Sequence, residues 1–242
     1  MRRGISATAA LIALTGFMAG CGGGGASNTP VRGGTLNMLG SGDVDYMDPN
    51  VSYYTTGYLA LRMWSRQLVT YPAVPGKTNT LVPDLATQLP TRSNGGVSAN
   101  GLTYKLTIRP GALWNTSPAR QVSAADVVRG VERTCNPAQP FGGLSDFEPI
   151  IAGFQSFCDA FSKVPPTAAA IKSFLGTHSV TGVRVDRANP MTVVFTLTRP
   201  ATYFPYLLAM PALSPSPAEL LNYVPASSDL AQHTISDGPY EI

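Results

Sequence analysis

At 242 residues the chain has room for one large domain or two small ones, and its 44% hydrophobic residues supply a core. Charged residues are only 13%, and 24 Gly with 21 Pro argue for many turns and irregular connections rather than a helical bundle. The formal charge of +3 shrinks to 15 basic against 14 acidic residues once Arg2 and Arg3 are set aside, and no basic cluster interleaved with aromatics occurs, so nucleic-acid binding has little support.

The chain opens MRRGISATAALIALTGFMAGC: two arginines, an uncharged run over residues 5–19, then small residues up to Cys21. A cationic start, a short apolar run and a small-residue site make a secretory signal peptide over residues 1–20. The apolar run falls short of the ~20 residues of a comfortable membrane span. Small residues directly before Cys21 resemble the bacterial lipobox, in which diacylglycerol is attached to the thiol and cleavage makes the cysteine the first mature residue. An ordinary signal peptide with a chance cysteine is the alternative. Residues 21–32, rich in glycine, then read as a flexible lipidated tether. Cys135 and Cys158 remain as an even pair, which in an exported chain points to a disulfide. A metal pair is the alternative, but no further Cys or His lies close to either in sequence.

Beyond the tether, residues 35–39 are a short strand candidate, followed by a polar, acidic loop carrying Asp43, Asp45 and Asp48. Tyr54, Tyr58, Leu61, Trp64 and Leu68 then recur at three- and four-residue spacing, which predicts one helical stripe. Residues 72–80 and 94–101 are loops. Leu102, Tyr104, Leu106 and Ile108 alternate with polar residues and predict a half-buried strand. Ser123 with Asp126 resembles a capping box ahead of Val127, Val128 and Val131, so a helix is expected over 124–134. Residues 136–153 give no clear assignment. Thr167 caps a short helix carrying Ile171, Phe174 and Leu175, and the runs at Val183, Val185 and at Val193, Phe195, Leu197 form a hairpin. Phe204, Leu207 and Leu208 suggest a short helix inside a proline-rich region over 200–225. Interleaved strands and helices argue for a mixed α/β (α+β) fold.

Several fragments, in order, resemble family 5 of the bacterial extracellular solute-binding proteins, the peptide- and nickel-binding group of ABC importers. They are Gly33-Gly34-Thr35-Leu36, Met47-Asp48-Pro49, Leu81-Val82-Pro83-Asp84-Leu85-Ala86, the strand Gly101 to Gly111, Ser123-Ala124-Ala125-Asp126-Val127-Val128, the hairpin from Gly182, and Gly238-Pro239-Tyr240. Trp114-Asn115-Thr116-Ser117-Pro118 and Ser236-Asp237 depart from the family pattern. The resemblance implies a periplasmic-binding-protein-like type II lobe, with a mixed sheet and flanking helices. Family members are about double this length, and their second lobe begins near Gly-Pro-Tyr. Residues 33–242 are thus expected to be the amino-terminal lobe, with the second lobe missing.

Enzyme signatures are mostly absent: there is no G-x-S-x-G elbow, and Gly76-Lys77-Thr78 has Tyr71 where a phosphate loop needs glycine. His178 and His233 lack partners at ligand spacing, and the aspartates at 43, 45 and 48 lack the glycine turn and distal carboxylate of a calcium loop. No catalytic residue, metal site or cofactor is therefore assigned. A binding cleft needs aromatic walls with a few orienting polar groups. Residues 40–56 have that mix, and in the family this loop faces the cleft. The resemblance nominates Tyr46, Met47, Tyr53 and Tyr54 as wall residues, with Tyr54 equally a candidate for the core stripe and Trp114 a further candidate for wall or core. It implies a monomer that captures an oligopeptide or similar solute between two lobes and docks on importer permease subunits, held by its lipid on the outer face of the cell membrane. A secreted hydrolase, or a lipoprotein with a sensing role, is the competing function.

Overall fold

The computed structural model describes residues 33–35, 37, 39–40 and 42–241, so the expected signal peptide over 1–20, Cys21 and the whole expected tether over 21–32 lie outside the described residues. The chain divides into two units, Met1–Asn37 and Met38–Ile242, and the account below concerns the second. Of the strand expected over 35–39, Leu36 and Met38 are not described, and Thr35, Asn37 and Leu39 are not in a strand.

The alternating run becomes β3 (Thr103–Thr107), after two short paired strands β1 (Val69–Thr70) and β2 (Val82–Pro83). The hairpin strands are β6 (Val183–Val185) and β7 (Thr192–Thr196), and the sheet runs β3-β7-β6, antiparallel throughout. Tyr104 and Leu106 of β3 are buried and Lys105 between them is exposed, as a strand with one wet face requires. In the central strand β7, Val194 is buried as well as Val193 and Phe195. Val194 stands opposite Lys105 on one side and Arg184 on the other, and such long aliphatic stems shield an apolar neighbour while their charges stay wet. A second pair, β4 (Leu113–Trp114) and β5 (Arg120–Gln121), leads into α2.

Helix α1 covers Thr55–Leu61, shorter than the stripe ending at Leu68 predicted. Leu61, Trp64 and Leu68 are all buried, yet Leu68 lies outside the helix, immediately before β1, its carbonyl accepting from the Asp84 and Ala86 N–H groups at 3.1 and 2.9 Å. Three- and four-residue spacing cannot distinguish a helix from a turn followed by a strand when both bury the same residues. Helix α2 (Ala124–Arg133) starts on the expected capping box, with the Ser123 N–H and hydroxyl both donating to Asp126 Oδ2 at 2.9 Å. Val127 and Val131 face the sheet, and Gly130 lets the chain near Ser214 approach so closely that a Cβ would lie 2.0 Å from the Ser214 carbonyl oxygen.

The stretch over 136–153 holds a short 3-10 turn, Leu144–Asp146, and buries Phe141, Phe147, Ile150 and Ile151. Helix α3 (Phe154–Phe161) follows it and was not anticipated. Its buried Phe154, Phe157, Cys158 and Phe161 form one face, and Gly153 opens it with φ of 71°, a left-handed conformation that glycine adopts without strain. Helix α4 (Ala168–Leu175) begins as expected, Thr167 Oγ1 accepting from the Ala170 N–H at 3.3 Å. Stacked Phe161 and Phe174 rings, 4.7 Å apart, join α3 to α4. In the proline-rich region α5 (Phe204–Leu207) is followed by 3-10 turns Pro211–Leu213 and Ala218–Asn222, and α6 (Ser228–Ala231) closes the order.

Cys135, just past α2, is joined to Cys158 of α3, with Cα atoms 5.1 Å apart and a sequence separation of 23. Closing a loop of that size stabilises the fold by about 3 kcal/mol in the chain-entropy account. Cys158→Ser is expected to lower the urea midpoint accordingly, and dithiothreitol should lower the wild-type midpoint by the same amount. A wild-type midpoint indifferent to reductant would refute the bond.

Candidate ligand-binding site

The acidic loop is organised around two aspartates with different tasks. Asp45 Oδ1 accepts from Ser52 Oγ at 2.5 Å, and Oδ2 accepts from the N–H groups of Tyr53 and Tyr54 at 2.6 and 3.1 Å. The carboxylate thereby satisfies backbone donors where the chain enters α1. Burial works against its charge, but these bonds and one from the Tyr46 backbone outweigh it and hold the carboxyl below its ordinary range.

Asp48 is fully buried and meets Arg133 of α2 in a two-pronged ion pair, Nη1 to Oδ1 at 3.2 Å and Nη2 to Oδ2 at 2.6 Å. Arg133 Nη1 also donates to Asn50 Oδ1 and Ser216 Oγ, each at 2.9 Å, and Asn50 Nδ2 donates to the carbonyls of Ala212 and Ser214 at 3.0 Å. This network pins the loop to α2 and to the segment beyond α5. Asp43, by contrast, is exposed and accepts from the Val44 N–H.

Held at both ends, the loop presents aromatic rings. Asp45, Tyr46, Val51, Tyr53 and Tyr54 line a concavity of about 350 Å³ with Gln139 and Gly142 opposite. That volume falls at the lower end of the range for small-ligand sites, ~300–1,000 Å³. Tyr53 is 50% exposed and stands edge-on to Phe141, ring centres 5.2 Å apart. Tyr54 is 65% exposed, at the helix entry and outside the core stripe. Beneath them the Tyr58 hydroxyl is buried without a partner among the described residues. Burial, with Tyr53, Asp45 and Asp146 nearby, pushes its ionisation up.

Of the nominated wall residues, Tyr46, Tyr53 and Tyr54 come together here. Met47 is half-buried and does not line the concavity. Trp114 is 2% exposed, and its indole N–H donates to Asp126 at 3.2 Å, beside the ion pairs of that carboxylate with Arg120 and Arg129. It belongs to the core that anchors the start of α2 and not to a wall, because a ring so enclosed offers no face to a ligand. Gln139, Phe141 and Gly142 are the contributors that sequence reasoning missed. The Gly142-Gly143 pair was the available signal: a Cβ at either would lie 3.0 or 3.1 Å from the Tyr53 ring. His178 and His233 are exposed and stack on Phe174 and Tyr223, ring centres 4.2 and 4.4 Å apart.

A family profile described as "Bacterial extracellular solute-binding proteins, family 5 Middle" matches residues 80–242, more than half of the chain. The chain belongs to family 5. Among its relatives, the oligopeptide-binding protein AliA of Streptococcus pneumoniae is 27% identical over 238 residues, covering 95% of this chain and 31% of AliA. The di/tripeptide-binding protein 4 of Pseudomonas aeruginosa is 29% identical over 173 residues, covering 69% of this chain and 27% of its own. Among solved structures, the clavulanic acid biosynthesis oligopeptide binding protein 2 superposes with a TM-score of 0.66 at 27% identity, over 87% of this chain and 34% of that one. OppA of Listeria monocytogenes bound to peptide superposes at 0.62 and 19% identity, over 85% and 35%, and shows the shared fold. The chain thus spans about a third of the length of these family 5 relatives, a smaller share than the half expected from the resemblance.

Proposed function

We propose that this chain is the amino-terminal part of an exported oligopeptide-binding protein serving an ABC importer. The Tyr46, Tyr53 and Tyr54 concavity would form one wall of its ligand cleft. The observation that carries this reading is that concavity: exposed rings on a loop clamped by Asp45 and Asp48, in a family 5 chain whose relatives are named for binding peptides. Rings held still supply apolar contact at small entropic cost. The neighbouring backbone groups and Gln139 offer polar contacts that tolerate varied side chains, directly or through water. The remaining contacts would come from a second lobe that closes over the ligand and then docks on the permease. Catalysis has no part in this reading. Residues 1–20 would be removed on export, and Cys21 would carry the lipid that holds a monomer at the outer membrane face through the 21–32 tether.

One lobe should bind weakly. Titration of peptide pools into the 242-residue chain is expected to give a Kd weaker than about 10 μM, and a Kd near 1 μM or below would overturn the one-wall reading. Peptides at high concentration should nonetheless shift the amide resonances of Tyr46, Tyr53 and Tyr54, and Tyr53→Ala should weaken that response severalfold. Shifts confined to other surfaces would remove the concavity from consideration. For the anchor, Cys21→Ser is expected to abolish palmitate labelling and release the protein from membranes; a labelled, membrane-bound Cys21→Ser protein would refute lipidation.

A further inference from the structure

At the opposite end of α1 from Tyr53 and Tyr54, three segments distant in sequence enclose a second cavity of about 410 Å³. The polar side chains in its lining include Arg62, Arg66, Gln67, Asp84 and Asp237. Arg66 is engaged by Asp84: Nε donates to Oδ1 at 2.8 Å and Nη2 donates to the same oxygen. Asp84 Oδ2 accepts from the Gln67 N–H at 3.2 Å, so both of its oxygens are used.

Asp237 is different. It is 6% exposed, and only Oδ1 has a partner, the Arg66 N–H at 2.9 Å. Oδ2 is buried and has no partner among the described residues. The carboxylate is carried on a fixed backbone. The N–H groups of Asp237 and Gly238 both donate to the Trp64 carbonyl, at 3.2 and 3.1 Å, and that of Tyr240 donates to Met63 at 2.9 Å. A Cβ on Gly238 would lie 2.6 Å from the Trp64 carbonyl carbon, so the two strands of chain touch backbone to backbone. A buried acceptor left unpaired costs about 1–3 kcal/mol, and more when charged. A buried, unpaired carboxylate oxygen on a residue that lines a cavity is a position for a donor brought from outside.

We propose that this cavity binds a small protonated amine, whose N–H groups donate to Asp237 Oδ2 and to neighbouring uncharged oxygens. An anionic ligand would instead face both Asp84 and Asp237. Arg62 is the one cation of the lining without a carboxylate partner among the described residues. Its Nη1 reaches only Thr70 Oγ1 and the Tyr71 carbonyl, each at 3.4 Å, so it can turn to solvent as an ammonium enters. Burial pushes the Asp237 carboxyl up to about 7, with Asp84 adding to the shift and Arg66 opposing it. An ammonium at bonding distance reverses that balance. The inference does not rest on peptide capture at the Tyr53 concavity, and failure of either leaves the other standing.

The test is a carbon-13 titration of the aspartate carboxyl groups from about pH 5 to about pH 9, a range in which simple amines stay protonated. The Asp237 resonance is assigned by its loss in Asp237→Asn, or by sequential assignment of the wild type should that variant not fold. Methylammonium chloride replacing sodium chloride at constant ionic strength is expected to lower the Asp237 midpoint by about one pH unit or more, a roughly tenfold shift in its ionisation. Tetramethylammonium, which has no N–H, should not do so. A midpoint unmoved by methylammonium, or moved equally by both cations, overturns the proposal.

Discussion

Replacing Arg133 by Met is expected to lower the unfolding free energy by about 3–5 kcal/mol, because it leaves the fully buried Asp48 carboxylate without its cation. The cost exceeds what the pair contributes net, since taking two charges out of water offsets most of their attraction. The double variant Arg133→Met with Asp48→Asn should therefore recover a large part of the loss. Urea unfolding of the two single variants and the double variant closes the cycle. Additive losses would show that the pair is not coupled. Arg133→Met should also disturb the amides of Tyr53 and Tyr54, because Asp48 and Asn50 hold the loop that carries them.

Glu132→Gln is expected to change how stability depends on pH. Glu132 is 5% exposed on α2, has no ion pair among the described residues, and accepts only a long 3.4 Å bond from the Val180 N–H. Burial pushes its carboxyl up to about 7, against the opposing pull of Val180 and Arg129. Below about pH 4.5 both folded and unfolded chains are protonated there and no penalty exists. As pH rises towards 7 the unfolded chain ionises while the folded chain keeps its proton, so stability falls, and above 7 the loss is constant at about 3 kcal/mol. Relative to wild type, Glu132→Gln should thus gain up to about 3 kcal/mol between pH 5 and pH 8 in urea unfolding. Asp237 leaves a residual fall of the same sign in that variant, because its carboxyl is raised as well. Curves for wild type and Glu132→Gln that run parallel across this range would refute the assignment.

What could be read from the sequence was what short-range signals encode. The Ser123 and Asp126 box, the alternation through Tyr104 and Leu106, and the Thr167 cap each declare their element within a few residues. Helix α3 carried a legible pattern in Phe154, Phe157, Cys158 and Phe161, but it starts on a left-handed glycine with no side-chain cap and follows a stretch of Gly and Pro that masked it. Leu68 fitted a helical stripe but is buried just ahead of β1, since burial and not geometry sets the spacing of apolar residues. For the candidate site, the tyrosines were nominated through the family resemblance, whereas their support was not legible. Arg133 lies 85 positions from Asp48, and Tyr53 rests on Phe141, contacts that only the fold creates. Trp114 stayed open between wall and core because nothing near it in sequence reveals that Asp126 accepts from its indole.

The bridge between Cys135 and Cys158 encloses Gln139, Phe141 and Gly142, the same residues that stand behind Tyr53. The back of the concavity is therefore finished by an oxidation and not by folding alone. A copy held in a reducing cytosol would keep its tyrosines but lose the covalent hoop that steadies them, so oxidation during export would also sharpen the concavity proposed as a ligand wall.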